Sequence, residues 1–172
     1  MADMSNRPSR LLHQGMKLVS AHKTEEAEIV LRRLLEIQPE NADAWWLLGR
    51  ALLLQGRLEE NVEAFRRAAK LVPNRAELWE TLGVALIRVG EVTEGRDAFT
   101  RAFELDNSSV SMSEYEFGKL IEYEPGNPLL WFGLGVVLDL QGRIDESKVA
   151  MLKAERLGLS DVVQKGREES NK

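Results

Sequence analysis

Apolar residues recur along this chain at the spacing of one helical face, in pairs of segments of nearly equal length. Within Ala42–Gln55 the apolar positions Trp45, Leu48, Ala51 and Leu52 fall on one side of a helix. Gly56 stands where that helix should end, because glycine accepts the left-handed conformation of a C-terminal cap. A second amphipathic segment runs from Leu58 to Leu71 through Val62, Phe65, Ala68 and Ala69 and stops before Pro73. The same pattern predicts first helices over 8–21, 42–55, 76–89 and 128–141, with partners over 24–37, 58–71, 92–105 and 144–157. One further helix is predicted over 110–123, ending before Pro125, and a short polar helix from Ser160 as N-cap. No strand is predicted.

The pairs are copies of one unit. Trp45 and Trp79 stand 34 residues apart, as do Gly49 and Gly83, Gly56 and Gly90, Phe65 and Phe99, and Pro39 and Pro73. A weaker copy precedes them, with Leu11, Gln14-Gly15, Ala27, Leu31 and Leu34 in the same columns. Trp131, Leu134-Gly135 and Gly142 follow 52 residues after Trp79, Leu82-Gly83 and Gly90, which is one repeat and about half of another. Gln-Gly-Arg at 55–57 recurs at 141–143 and fixes the phase.

This order of Trp, Leu-Gly, turn Gly, small residue, aromatic and closing Pro resembles the tetratricopeptide repeat (TPR), a 34-residue helix–turn–helix unit. The resemblance covers roughly Pro8 to Ser160. It implies an all-α, TPR-type α-solenoid of antiparallel helix pairs, about four repeats plus an inserted half repeat. One pair cannot bury its apolar face alone, so neighbours must stack. The expected organisation is a flexible N-terminus over 1–7 and a single TPR domain over 8–160. Within it the repeats span about 8–41, 42–75, 76–109 and 128–160, with the half repeat at 110–127 and a capping helix or tail over 161–172. Phe117 and Leu120 occupy second-helix columns of the half repeat, whose own first helix is missing. Asn61, Gly95 and Ser147 replace the small alanine of the second helix, and Asn107 replaces the third closing proline, so the Asn107-Ser-Ser junction is expected to be loose.

Composition then narrows function. With 44% apolar and 30% charged residues the chain can bury a core. A net charge of −5 opposes nucleic-acid binding and attraction to anionic membranes. The apolar stretches Ala44–Leu48 and Ala51–Leu54 are far short of the roughly 20 residues needed to cross a bilayer, so no direct membrane insertion is expected. Met1–Arg10 lacks the apolar core of a secretory signal. Zero cysteines exclude disulfides and thiolate chemistry, and a cytoplasmic location is expected.

Catalytic chemistry finds no foothold. His13 and His22 lack the spacing of a helical metal pair. The acidic pairs Glu25-Glu26, Glu59-Glu60 and Asp145-Glu146 each open a second helix, where they complement the helix dipole. Their recurrence at the repeat period argues for structure, since an active site is needed once. Arg32-Arg33, Arg66-Arg67, Arg101 and Lys153 recur later in the same helices, facing solvent or a neighbouring repeat. Gly133-Leu134-Gly135 belongs to the repeat and is not a phosphate loop. No catalytic residue, metal ligand or cofactor is expected, and the chain is read as a non-enzyme.

The resemblance implies that first helices line a groove that takes partner proteins. On that face stand Leu12, Met16 and Val19; Trp46, Arg50 and Leu53; Glu80, Val84 and Ile87; and Phe132, Val136 and Asp139. Nine of these twelve are apolar, a composition that marks an interaction surface when left bare. The expected ligand is a hydrophobic or amphipathic segment of a partner protein, anchored on Trp46 and Phe132 with Arg50 pairing an acidic group. Self-filling by the extra helix or the N-terminal tail, and homo-oligomer contact, are the alternatives for the same strip. TPR adaptors that grip acidic chaperone tails use Lys, Asn and Arg here; Leu12, Met16, Leu47, Glu77 and Thr81 stand at those places, so that partner class is not expected. Two functions follow: an interaction scaffold, adaptor or assembly chaperone, or a structural subunit that self-associates or docks permanently in a larger complex.

Overall fold

The computed structural model describes residues 7–170, so the expected flexible segment 1–7 lies almost wholly outside the described residues. The described residues form ten helices and no strand: α1 Arg7–Ser20, α2 Thr24–Ile37, α3 Ala42–Leu54, α4 Leu58–Leu71, α5 Ala76–Arg88, α6 Val92–Leu105, α7 Ser111–Tyr123, α8 Pro128–Leu140, α9 Ile144–Arg156 and α10 Leu159–Ser170. None is long and apolar enough to cross a membrane. The chain divides into two compact units, Met1–Pro73 with α1–α4 and Asn74–Lys172 with α5–α10.

Each pair is set by a glycine and a large residue sixteen positions later. A Cβ on Gly49 would lie 2.5 Å from the Phe65 ring, one on Gly15 2.6 Å from Leu31, one on Gly83 3.0 Å from Phe99 and one on Gly135 2.9 Å from Met151. The missing side chain lets the partner helix approach closely, as the Leu-Gly column implied. The turns between paired helices are left-handed at Gly56, Gly90 and Gly142 (φ +76°, +85° and +77°), and in the first pair His22 takes that place at φ 56°.

In the first unit Leu31, Leu34, Leu48 and Leu52 are sealed in one cluster with Ala27, Ala44 and Ala51. In the second unit Phe99, Phe117, Val110, Val136 and Val137 form another. The alanine replacements are accommodated there. Asn61 Nδ2 donates to the Gly49 carbonyl at 2.9 Å, Ser147 Oγ donates to that of Gly135 at 2.8 Å, and Gly95 leaves room for Ile87 Cδ1.

The C-terminal helix differs from expectation at its start. It begins at Leu159, so Ser160 lies in its first turn and is not the N-cap. Leu159 is buried in the second cluster, and Gly158 at φ +85° reverses the chain early enough to seat it. The Gly158 carbonyl accepts the amides of Asp161 and Val162, which starts the helix. The Asn107-Ser-Ser junction is a hydrogen-bonded turn: Asp106 Oδ1 accepts from Ser108 N at 2.9 Å and Ser108 Oγ at 2.8 Å.

Candidate functional site: the first-helix strip

The twelve strip residues fall into two halves, one in each unit, and the halves differ in exposure. In the first unit α1 and α3 pack side by side. Met16 is 49% exposed, Arg50 is exposed, and Leu12, Trp46 and Leu53 are half-buried; only Val19 is sealed in the core. Leu12 and Trp46 pack against the same cluster and keep part of their surface in solvent. The Arg50 guanidinium stacks on the Trp46 ring at 4.9 Å, a cation–π contact that follows from their i, i+4 spacing. Arg50 is exposed while it makes this ring contact. This half is an apolar surface with one oriented positive charge.

In the second unit Val84, Ile87, Phe132 and Val136 are buried in a single cluster, at 5%, 0%, 9% and 2% exposure. Val110 and Phe117, at the start and middle of α7, belong to the same cluster. Arg96 stacks on Phe132 at 5.5 Å. Glu80 Oε1 accepts both the Ser113 amide (3.0 Å) and the Ser113 hydroxyl (2.7 Å). Burial raises the Glu80 carboxyl above its usual range against these hydrogen bonds, and the charges of Glu116 and Glu77 push the same way. Burial likewise raises the Glu116 carboxyl, opposed by Arg88. Asp139 alone of this half is exposed. Here Phe117 of α7 and the adjoining Val110 share the cluster that buries the strip, and Ser113 caps Glu80.

The comparisons with known proteins bear on the fold that carries this strip. The sequence matches the cytochrome c-type biogenesis protein H TPR domain over residues 1–98, more than half of the chain. The chain belongs to this TPR family. No curated protein matches the chain in sequence. Among solved structures, MamA is similar with a TM-score of 0.57 and 19% identity over 90% of this chain and 93% of its own. YrrB, described as a TPR protein with an unusual peptide-binding site, has a TM-score of 0.55 and 16% identity over 92% of this chain and 90% of its own. The O-GlcNAc transferase of Thermobaculum terrenum (a K341M mutant) has a TM-score of 0.57 and 24% identity over 80% of this chain, which spans 23% of that enzyme. At these identities the likeness shows the fold, an all-α TPR-type α-solenoid.

Within this TPR chain, the Gln-Gly-Arg motif does more than mark the phase. Arg57 Nε and Nη2 grip both oxygens of Glu60 at 2.7 and 2.6 Å, while Nη1 reaches back 29 residues to Glu28 at 2.7 Å. Arg143 repeats the arrangement with Glu146 at 2.7 and 2.5 Å and Glu114 at 2.6 Å. Burial pushes the Glu28 carboxyl up, but the hydrogen bonds from Arg32 and Arg57 outweigh it and hold it below the usual carboxylate range. The hydrogen bonds that Arg143 donates to Glu146 and then to Glu114 raise its guanidinium. Sequence reading assigned the acidic pairs to the helix dipole alone; the shared 29-residue step was the signal for this second role. It also shows that α7 sits on α8 in the register in which α2 sits on α3.

Proposed function

We propose that the chain is a protein–protein interaction module that holds a hydrophobic or amphipathic segment of a partner on the open strip of its first unit. The supporting observation is the surface of α1 and α3, where Met16, Leu12, Trp46 and Leu53 keep apolar area in solvent beside the ring-stacked Arg50. A large aromatic with a positioned arginine is the composition of an interface hot spot. The family match, named for cytochrome c-type biogenesis, favours an adaptor or assembly chaperone for a protein of that process. The peptide-binding site in the description of YrrB supports the same class of ligand.

The test is a pull-down from native lysate with the wild-type chain, Arg50→Glu, and Trp46→Glu with Leu53→Glu. Arg50 is exposed and its replacement leaves the core intact. Loss of the same partners from both variants, with the helical circular dichroism unchanged, supports the reading. Equal recovery of those partners by both variants overturns it.

A further inference from the structure

The helix α7 has no first helix of its own. Every other second helix in the described residues packs along the first helix that precedes it, whereas α7 packs on α8 and more sparsely on α5. Val110, at the N-cap position before α7, offers no side-chain cap, and the segment before it is a turn closed on Asp106. Val110 at the N-cap and Ser113 and Phe117 within α7 follow at i, i+3 and i+7 on one face, all at 0–1% exposure. Phe117 lies edge-on to Phe99 at 6.0 Å and fills the space left by the missing side chain of Gly133. The contact brings together two half-buried acids, Glu80 on α5 and Glu116 on α7, and burial pushes both carboxyls above their usual range.

We propose that α7 is a built-in strap, seated on α5 and α8 and held at its N-terminal end by Ser113 on Glu80, whose release uncovers a second docking surface in the second unit. That surface comprises Glu80, Val84, Gly133 and Val136. Its ligand reproduces what α7 now supplies: a helical segment with a hydroxyl residue for the Glu80 carboxylate and an aromatic four residues later for the Gly133 notch. Closed, the strap competes with such a segment. The inference rests on the reading above only in taking first-helix positions as the place where a partner segment lies.

Two measurements on the full chain test it. Hydrogen exchange compares α7 with α8 in the wild type and in Ser113→Ala, and fluorescence anisotropy follows a labelled synthetic peptide copying residues 107–126. Amides of α7 are expected to exchange at least about tenfold faster than those of α8, and loss of the hydroxyl bond to the carboxylate to widen that gap roughly tenfold. The peptide is expected to bind Ser113→Ala at least about tenfold more tightly than the wild type, because the competing strap is weakened. Equal protection of α7 and α8 overturns the proposal, as does an equal rise in α8 and α9 exchange in Ser113→Ala. Peptide binding to neither form, or equally to both, overturns the docking surface. Neither readout involves Trp46 or Leu53, so Trp46→Glu with Leu53→Glu should leave both unchanged, and either reading can fail alone.

Discussion

Gly133→Ala is a sharp test of the packing between α7 and α8. In a helix interior alanine is favoured over glycine by about 1 kcal/mol, so propensity alone predicts stabilisation. The space argues the other way. A Cβ on Gly133 would lie 2.5 Å from Phe117 Cε1 and 2.8 Å from Cε2, with Cζ closer still. Optimal carbon contacts lie near 3.5–4.0 Å, and Phe117 is fully buried, so the ring has no solvent to swing into. Overpacking costs about 1–3 kcal/mol, and three ring atoms inside contact distance put this site in the upper part of that range. After the helix gain the net expectation is destabilisation by roughly 1–2 kcal/mol. For a chain of this size that lowers the melting midpoint by roughly 2–8 °C. Gly118→Ala is the control: it lies in the interior of α7 with nothing within 4 Å of its Cβ, and it should gain up to about 1 kcal/mol. Urea unfolding followed by circular dichroism compares the three proteins. Adding Phe117→Leu to Gly133→Ala should recover stability beyond additivity by about 0.5 kcal/mol or more. If Gly133→Ala is as stable as the wild type with an unchanged m-value, the fit of the Phe117 ring into α8 is not what sets their spacing.

Other substitutions probe other parts of the same reasoning. His22→Gly should stabilise by about 1 kcal/mol, because His22 alone among the four pair turns holds φ 56° with a side chain; a lower melting midpoint refutes this. Asn61→Ala removes both a buried Oδ1 without a partner and the Nδ2 bond to the Gly49 carbonyl. The two should nearly cancel and leave stability within about 1 kcal/mol of wild type; a larger loss in urea midpoint counts against it. Glu116→Gln should stabilise the protein at neutral pH. Its folded carboxyl is raised by burial, with Glu80 and Arg88 the charges facing it, so the folded state binds the extra proton and the penalty fades as pH falls toward the ordinary value of 4.5. Urea midpoints at pH 7 and pH 5 should therefore show the gap between variant and wild type closing; a constant gap refutes the assignment. Arg57→Gln should destabilise more than Arg101→Gln, because Arg57 bridges two helices while Arg101 pairs only with Glu104 on its own helix, and high salt should shrink the difference.

The helices were legible because their signals are local. Apolar spacing, a turn glycine and a closing proline placed α4 at 58–71 and α7 within one residue of its start. The start of α10 differs from the local signal because Ser160 is a good cap in isolation, while burial of Leu159 is a tertiary preference that outweighs it.

 The strip was legible as a set of columns but not in its exposure. Columns state which residues share a face, whereas exposure depends on what else the chain lays over that face. In the first unit nothing among the described residues removes Met16 and Arg50 from solvent. In the second, Val110 and Phe117 close the cluster that holds Val84 and Val136. The hint was Gly133, a small residue where the preceding first helices carry Leu47 and Thr81, sixteen residues after an aromatic.

The glycine-and-ring matching has a consequence for how such a chain can be cut and recombined. Gly49 with Phe65, Gly83 with Phe99 and Gly135 with Met151 each join the two helices of one pair, so those helices must be inherited together. A crossover inside a pair sets a ring against a spacing made for another side chain, whereas a crossover between pairs leaves each match intact. Gly133 adds a second match, this time to the helix before it. Residues 111–156 therefore form a three-helix cassette, the smallest piece of this region that a duplication or transplant can carry with both glycine matches intact.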